Sequence, residues 1–311
     1  MTKKISIVTP CYNEEGNVEE LICRVRDVMS VFTEYEYEHI FIDNSSKDKT
    51  VQILKQIASA DKKIKIIINS RNFGYIRSPY YGLLQADGDL VISIVADMQD
   101  PPTVIPEFIK KWEEGYKVVV GIKTASKEPP LIYFLRSVYY KSIAKLSNIE
   151  LLQHFTGFGA YDKVIIEQLR SMQEPYPYFR GLISEIGFDI AKIEYTQPCR
   201  KSGYSKSNLY ALLDLALLGF THHTKIPLRI ATIAGFLTSA LSLFSGVIYF
   251  IYKMIFWDRF SVGMAPLVIG LFFLGSIQLL FLGIIGEYMG SIFTYVQKRP
   301  LVVEKERVNF D

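Results

Sequence analysis

The sequence predicts an α/β domain on a mostly parallel, doubly wound sheet, followed by two transmembrane helices. Three observations carry this. Apolar runs of strand length alternate with stretches of helical periodicity over roughly the first 200 residues. Polar clusters (YNEE, DNSSKD and ADMQD) directly follow three of the strand-like runs. Two long stretches near the C-terminus carry no charged residue.

Residues 5–9 form a short apolar run ending at Pro10, the pattern of a buried strand. After the polar turn YNEEGN, Val18, Leu21, Ile22, Val25, Val28 and Met29 recur on one face of a helix. Residues 39–42 then read as a strand, 48–57 as a helix and 64–68 as a strand. A helix over 78–86 precedes a strand over 90–96. Pro101 and Pro102 open a helix over 104–113, and 118–122 is a further strand. Alternating strands and helices require right-handed crossovers and hence a largely parallel sheet. Ligands of such sheets sit beyond the carboxyl ends of the strands. The three polar clusters therefore meet on one edge.

Farther along, Ile230–Tyr252 is uncharged, and at about 1.5 Å per residue it covers a hydrocarbon layer of roughly 30 Å. A second uncharged span covers about residues 265–285. Between them Phe256 and Trp257 suit a lipid–water boundary. Two spans leave both ends on one side. Lys225 and Arg229 before the first, and Lys298, Arg299, Lys305 and Arg307 after the second, mark that side as cytoplasmic. The start, MTKKISIVTP, lacks the roughly 7–15-residue apolar core of a signal peptide. Cys11, Cys23 and Cys199 are odd in number and unrelated in spacing, as expected of reduced thiols. A formal charge of +3 with dispersed basic residues argues against nucleic acid as a partner.

Four segments carry candidate chemistry. Asp43 ends a strand, where a carboxylate can accept hydrogen bonds from a base or ribose, or can cap the next helix. Asp97 and Gln99 leave a strand together, and two oxygen ligands so spaced can share a divalent cation whose other positions are phosphate and water. The alternative is a polar loop before a Pro-Pro helix start. In SRNFGY, Arg71 is placed to hold a phosphate or to pair with Asp43 or Asp97. Arg200, Lys201 and Lys206, in CRKSGYSKS, form either an anion clamp beside the membrane or a generic juxtamembrane charge patch.

Together, SIVTPCYNEEGNVEEL, FIDNSSKDKT, SRNFGYIRSPYYGLLQADGDLVISIVADMQDPP, FRGLISEIGF, CRKSGYSKSNLYALLDLALLGF and GIIGEYMGSIFTYVQKRP resemble family 2 glycosyltransferases of the GT-A fold. The resemblance is to their polyprenyl-phosphate branch, which includes bactoprenol glucosyl transferases and dolichol-phosphate mannose synthases. It covers nearly the whole chain. It implies that Pro10, Tyr12, Glu14 and Asp43 line a nucleotide pocket and that Asp97 and Gln99 hold Mg2+ or Mn2+. Lys123 and Arg136 fall near the basic residues that take the lipid phosphate. Residues 209–220 would lie along the membrane surface.

The implied division is a catalytic domain over 1–206, a membrane-surface region over 207–228, two spans over 229–295 and a cytoplasmic tail over 296–311. The implied reaction is inverting hexose transfer from a nucleotide-sugar, preferably UDP-linked, to polyprenyl phosphate. A phosphate acceptor with a second pKa of about 6 is already ionised near neutrality and needs no general base. Val95 and Asn44 stand where relatives usually carry acids, and HFTGFGAYDK lacks an acid found in relatives. These departures leave room for a catalytically impaired scaffold. A processive synthase is the other rival, but neither KKWEEG nor IFWDRF contains its Gln-x-x-Arg-Trp motif. Gly286 and Gly290 suit helix packing either between subunits of a homo-oligomer or within the chain.

Overall fold

The computed structural model describes residues 2–123, 155–198, 226–256 and 264–310. The chain forms two compact units, Met1–Gly219 with Lys298–Asp311, and Phe220–Gln297.

In the first unit the order is β1 (Lys4–Cys11), α1 (Val18–Met29), β2 (Glu36–Asp43), α2 (Thr50–Ala60), β3 (Ile64–Asn69), α3 (Gly74–Gln85) and β4 (Leu90–Ser93). A single 3-10 turn, Pro102–Val104, leads into α4 (Ile105–Glu113). Then come β5 (Val118–Lys123), β6 (Phe155–Asp162), α5 (Lys163–Met172), α6 (Phe179–Ile186), β7 (Ile190–Tyr195) and β8 (Glu304–Val308). The expected elements up to β5 are all present. Two begin well before their patterns suggested: β2 at Glu36 rather than residue 39, and α3 at Gly74 rather than residue 78, with Pro79 inside it. Pro79 is the sixth residue of α3, so the helix goes without the bond that an amide there would donate to Tyr75 O.

The strands form one sheet in the order β7-β5-β6-β4-β1-β2-β3-β8. β1 pairs in parallel with β2 and β4, and β2 with β3. Two strands run against the rest. β6 is antiparallel to both β4 and β5, and β8 is antiparallel to β3. From β1 the chain winds outward to β3, then returns to place β4 on the other side, so the order reverses beside β1. A reversal of that kind opens a crevice at the carboxyl edge.

Period-2 alternation sorts the core. Ile5, Ile7, Phe41, Ile66 and Ile92 pack with α1, α2 and α4 on one face. Val8, Ile40, Ile42, Ile67 and Val91 pack with α3, α5 and α6 on the other. Each side chain so buried contributes about 1.5–3 kcal/mol. At the amino edge, buried Glu38 takes Lys4 and Lys65 at 2.8 Å each and accepts Ser6 Oγ at 2.6 Å. That edge is closed by paired charge, while the carboxyl edge is left for loops.

The final stretch, expected as a separate tail, instead returns to the sheet. Glu304–Val308 pairs along β3. Tyr81 Oη donates to Glu304 at 2.7 Å, and the Asn309 amide donates to Ala58 O and Ile64 O at 2.8 Å.

The second unit contains α7 (Ile226–Ile255) and α8 (Met264–Val296). Both are long and apolar enough to cross a membrane, the apolar windows being Ile230–Tyr252 and Phe273–Val296. The second window extends past the expected 265–285 because the chain stays helical through Glu287 to Val296.

Candidate active site

Each of the four central strands leaves the carboxyl edge through a left-handed residue. These are Asn13 after β1 (φ 55°), Ser45 after β2 (φ 65°), Gly74 after β3 (φ 88°) and Met98 after β4 (φ 63°). Non-glycine residues held there cost on the order of 1–3 kcal/mol and persist only where their surroundings fix them. Here side chains fix them.

The loops after β1 and β2 lock each other. Asn13 N–H donates to Ser46 Oγ at 2.8 Å, and Lys47 N–H returns to Asn13 Oδ1 at 2.8 Å. Glu14 N–H donates to Thr50 Oγ1 at 2.9 Å, while the Asn17 amide donates to Glu14 Oε2 at 2.6 Å. Asp43 is at the centre of this lock. Its carboxylate accepts Ser46 N–H at 2.9 Å and also Ser46 Oγ–H. Burial raises its pKa against those hydrogen bonds. The side chain that caps the start of α2 is Asp48, which accepts Thr50 N–H at 3.0 Å.

A cavity of about 690 Å³ opens at the strand-order reversal, within the range of ligand sites. Pro10, Tyr12 and Glu14 line it, as does Asp97. Four of the expected site residues therefore share one cavity. Asp43 is not among the lining residues; it is fully buried and shapes the loop behind them. Its neighbour Asn44 lines the cavity instead.

On the β4 side, Asp97 Oδ1 accepts Gln99 N–H at 3.1 Å, across left-handed Met98. Gln99 is half-buried and lies outside the cavity lining. Asp100, 2% exposed, accepts Tyr195 Oη–H at 3.0 Å, and burial pushes its carboxyl up to about 6. Val95 presents a hydrocarbon wall where an acid was expected.

Two expected phosphate-binding cations have protein partners. Arg71 stacks on the Phe73 ring at 4.0 Å and donates to Asn72 O at 3.1 Å. Lys123 Nζ donates to Gln197 Oε1 at 2.8 Å. Arg136, Arg200 and Lys206 lie outside the described residues, as does the segment 209–220.

Among the described residues, the cation that lines the cavity is Arg180, in the first turn of α6. Thr156 and Gly157 of β6 complete that side, with Gly157 at φ 103°, where a side chain would be strained. Sequence reasoning does not single out Arg180 or Thr156, and it places Asn72 after the third strand without a role. FRGLISEIGF, one of the segments that carry the family resemblance, is the available signal for Arg180.

Among solved structures, glucosyl-3-phosphoglycerate synthase from Mycobacterium tuberculosis, in complex with Mn2+, UDP-glucose and phosphoglyceric acid, superposes with TM-score 0.43. That match has 20% identity and covers 69% of this chain and 76% of that one. The uncharacterized glycosyltransferase YkcC of Bacillus subtilis is 34% identical over 96% of this chain and 92% of its own length. The bactoprenol glucosyl transferase of Shigella phage SfII is 32% identical over 97% of this chain and 98% of its own. The family model for glycosyl transferase family 2 matches residues 6–170, which takes in all four left-handed loops and Asp97. With its sheet and its relatives matched over nearly their whole lengths, the chain is a glycosyltransferase and belongs to glycosyl transferase family 2.

Proposed function

We propose that this enzyme transfers a hexose from a nucleoside diphosphate sugar, UDP-linked by preference, to a polyprenyl phosphate at the cytoplasmic face of the plasma membrane, with inversion at the anomeric carbon. One observation carries the reading: Tyr12, Glu14 and Asp97 meet in one cavity of a chain that matches bactoprenol glucosyl transferases over nearly its full length. The two apolar helices supply an anchor suited to a lipid acceptor. Both ends of the helical unit continue into the same folded unit, so two crossings return the chain to its starting side. The basic residues flanking the helices favour the cytoplasm for that side.

Among the described residues no cluster of three or more His, Cys, Asp or Glu side chains suits a metal. The Asp97 carboxylate, in the cavity with Gln99 beside it, suits an ion that takes most of its ligands from phosphate and water. Mg2+ or Mn2+ bound there would offset charge on the leaving diphosphate. The chain's own groups do the rest. Gln99 N–H orients the Asp97 carboxylate. Tyr12 and Glu14, on a loop locked by Ser46 and Thr50, hold the nucleotide. Arg180 offers positive charge to whichever phosphate approaches from β6. The acceptor phosphate is its own nucleophile, so catalysis rests on positioning and electrostatics.

The test is transfer from a panel of radiolabelled UDP- and GDP-sugars to undecaprenyl phosphate in detergent, with and without Mn2+. A metal-dependent lipid product from one donor, absent with Asp97→Ala, is expected. A folded enzyme that yields no lipid product from any donor refutes the reading.

A further inference from the structure

Resting on that reading, we propose that Asn44 is a positioning residue of the donor site. Its side-chain amide sets the shape of the loop over residues 70–74, which forms one wall of the cavity, and does so without using that amide on the ligand.

The loop joins β3 to α3 and has no regular structure of its own before Gly74. Its polar backbone converges on one side chain. Asn44 Oδ1 accepts Phe73 N–H at 2.8 Å and the Asn69 amide at 3.2 Å. Asn44 Nδ2 donates to Gly74 O at 3.1 Å and to Asn72 Oδ1 at 2.9 Å. Asn72 Oδ1 accepts Gly74 N–H as well, at 2.8 Å. A primary amide has two N–H donors and an oxygen with two lone pairs. All four are committed here, in a residue only 7% exposed. Any base or ribose contact through this amide would have to displace the loop.

The geometry is also directional. Two of the four partners are acceptors, Gly74 O and Asn72 Oδ1, so the side chain must donate as well as accept. A carboxylate of identical shape satisfies only half of the set and turns the other half into repulsion. Gly74 at φ 88° with no atom within 4 Å of a built Cβ shows that the loop is selected for conformation, not for lack of space. From the outer side, Ser70 N–H donates to Val303 O at 2.9 Å, so the loop is also held next to β8.

The experiment measures UDP binding by the full-length protein in detergent, and steady-state kinetics with the donor identified above. The variants are N44D, N72A and the double variant N44A/N72A beside N44A. Expected is a roughly tenfold or larger rise in the UDP dissociation constant and donor KM for N44D. Its kcat at saturating donor and its acceptor KM should stay within about twofold, and its melting temperature close to native. N72A should weaken UDP severalfold. N44A/N72A should be no weaker than the worse single variant, because both act through one loop. Native donor affinity in N44D overturns the proposal. So do parallel losses in kcat and acceptor KM, or additive losses in the double variant, which mark separate contacts to the ligand. If N44D does not fold, the N44A and N72A cycle decides by the same criterion. UDP binding reads the loop even if no lipid product forms, so failure of the transfer reading and failure of this one are distinguishable.

Discussion

Phe41 in the sheet is fully buried and Phe236 in α7 is 75% exposed, and both belong to stable secondary structure. The contrast runs through the whole molecule. In the first unit isoleucines and valines alternate into two faces of a sheet, and the residues between them serve polar loops. In the second unit Leu241, Phe244, Phe250, Leu271 and Phe273 stand more than half exposed along two helices. The same side chains are selected in both, but for different solvents. In water an apolar face must find a protein partner, whereas a helix that satisfies its own backbone can present apolar residues outward to lipid.

The contrast is broken most severely at the site. Asp97→Ala should lower transfer by about a thousandfold or more, on the scale of losing a key electrostatic group, and leave the melting temperature unchanged. Radiolabel transfer beside thermal unfolding checks both halves of that statement. Next comes removal of residues 300–311, which deletes the β8 ladder and the Asn309 bonds. At about 0.5–1.5 kcal/mol per hydrogen bond the first unit should lose about 3 kcal/mol or more. It should also aggregate through the bared β3 edge. Recovery of monodisperse protein and its melting curve report this.

A matched pair of charges sharpens the comparison directly. Leu241→Lys, at the middle of the Ile230–Tyr252 window, should cost roughly 2.5–3.5 kcal/mol of insertion and reduce protein in the membrane fraction. Val31→Lys, at a site 75% exposed in the first unit, should change stability by less than about 0.5 kcal/mol. Equal loss from both would mean that α7 faces water.

A smaller loss than that of Leu241→Lys is expected in the buried sheet. His39 is fully buried beside Thr9, at 2.8 Å, and burial lowers its pKa from 6.5 to about 3. Below pH 6.5 the unfolded chain takes up a proton that the folded chain refuses. The stability tied to neutral His39 is therefore complete above pH 6.5 and is lost progressively toward pH 3, at about 1.4 kcal/mol per unit. Chemical unfolding at pH 7 and pH 5 should show roughly 2 kcal/mol more loss for native protein than for His39→Gln.

How far the sequence reveals all this depends on which periodicity each element keeps. β1 to β5 and their helices were readable because they bury one or two faces in a regular pattern, and the three polar clusters announced the shared edge. β6 was not, since FTGFGAYD mixes glycines with aromatics and keeps no clear apolar alternation. β8 was hidden differently. EKERV is mostly charged, and nothing local distinguishes an edge strand of that composition from a solvated tail. At the site, Tyr12, Glu14 and Asp97 were legible from strand-end position. That Asn44 and not Asp43 lines the cavity was not legible, because a hydrogen-bond network among loops leaves no spacing signal.

The returning strand also fixes an order of events in biosynthesis. Lys55 and Glu306, which pair at 2.6 Å, are 251 residues apart, and both helices of the second unit are made between them. At about 5–20 residues per second the β3 edge waits on the order of ten to fifty seconds for its partner. During that interval the nascent chain carries an open strand beside its donor-site loop, and its two apolar helices must be accommodated before the edge closes. A chain released before residues 304–308 are made thus keeps β3 as a bare edge, because β8 is the strand that pairs there.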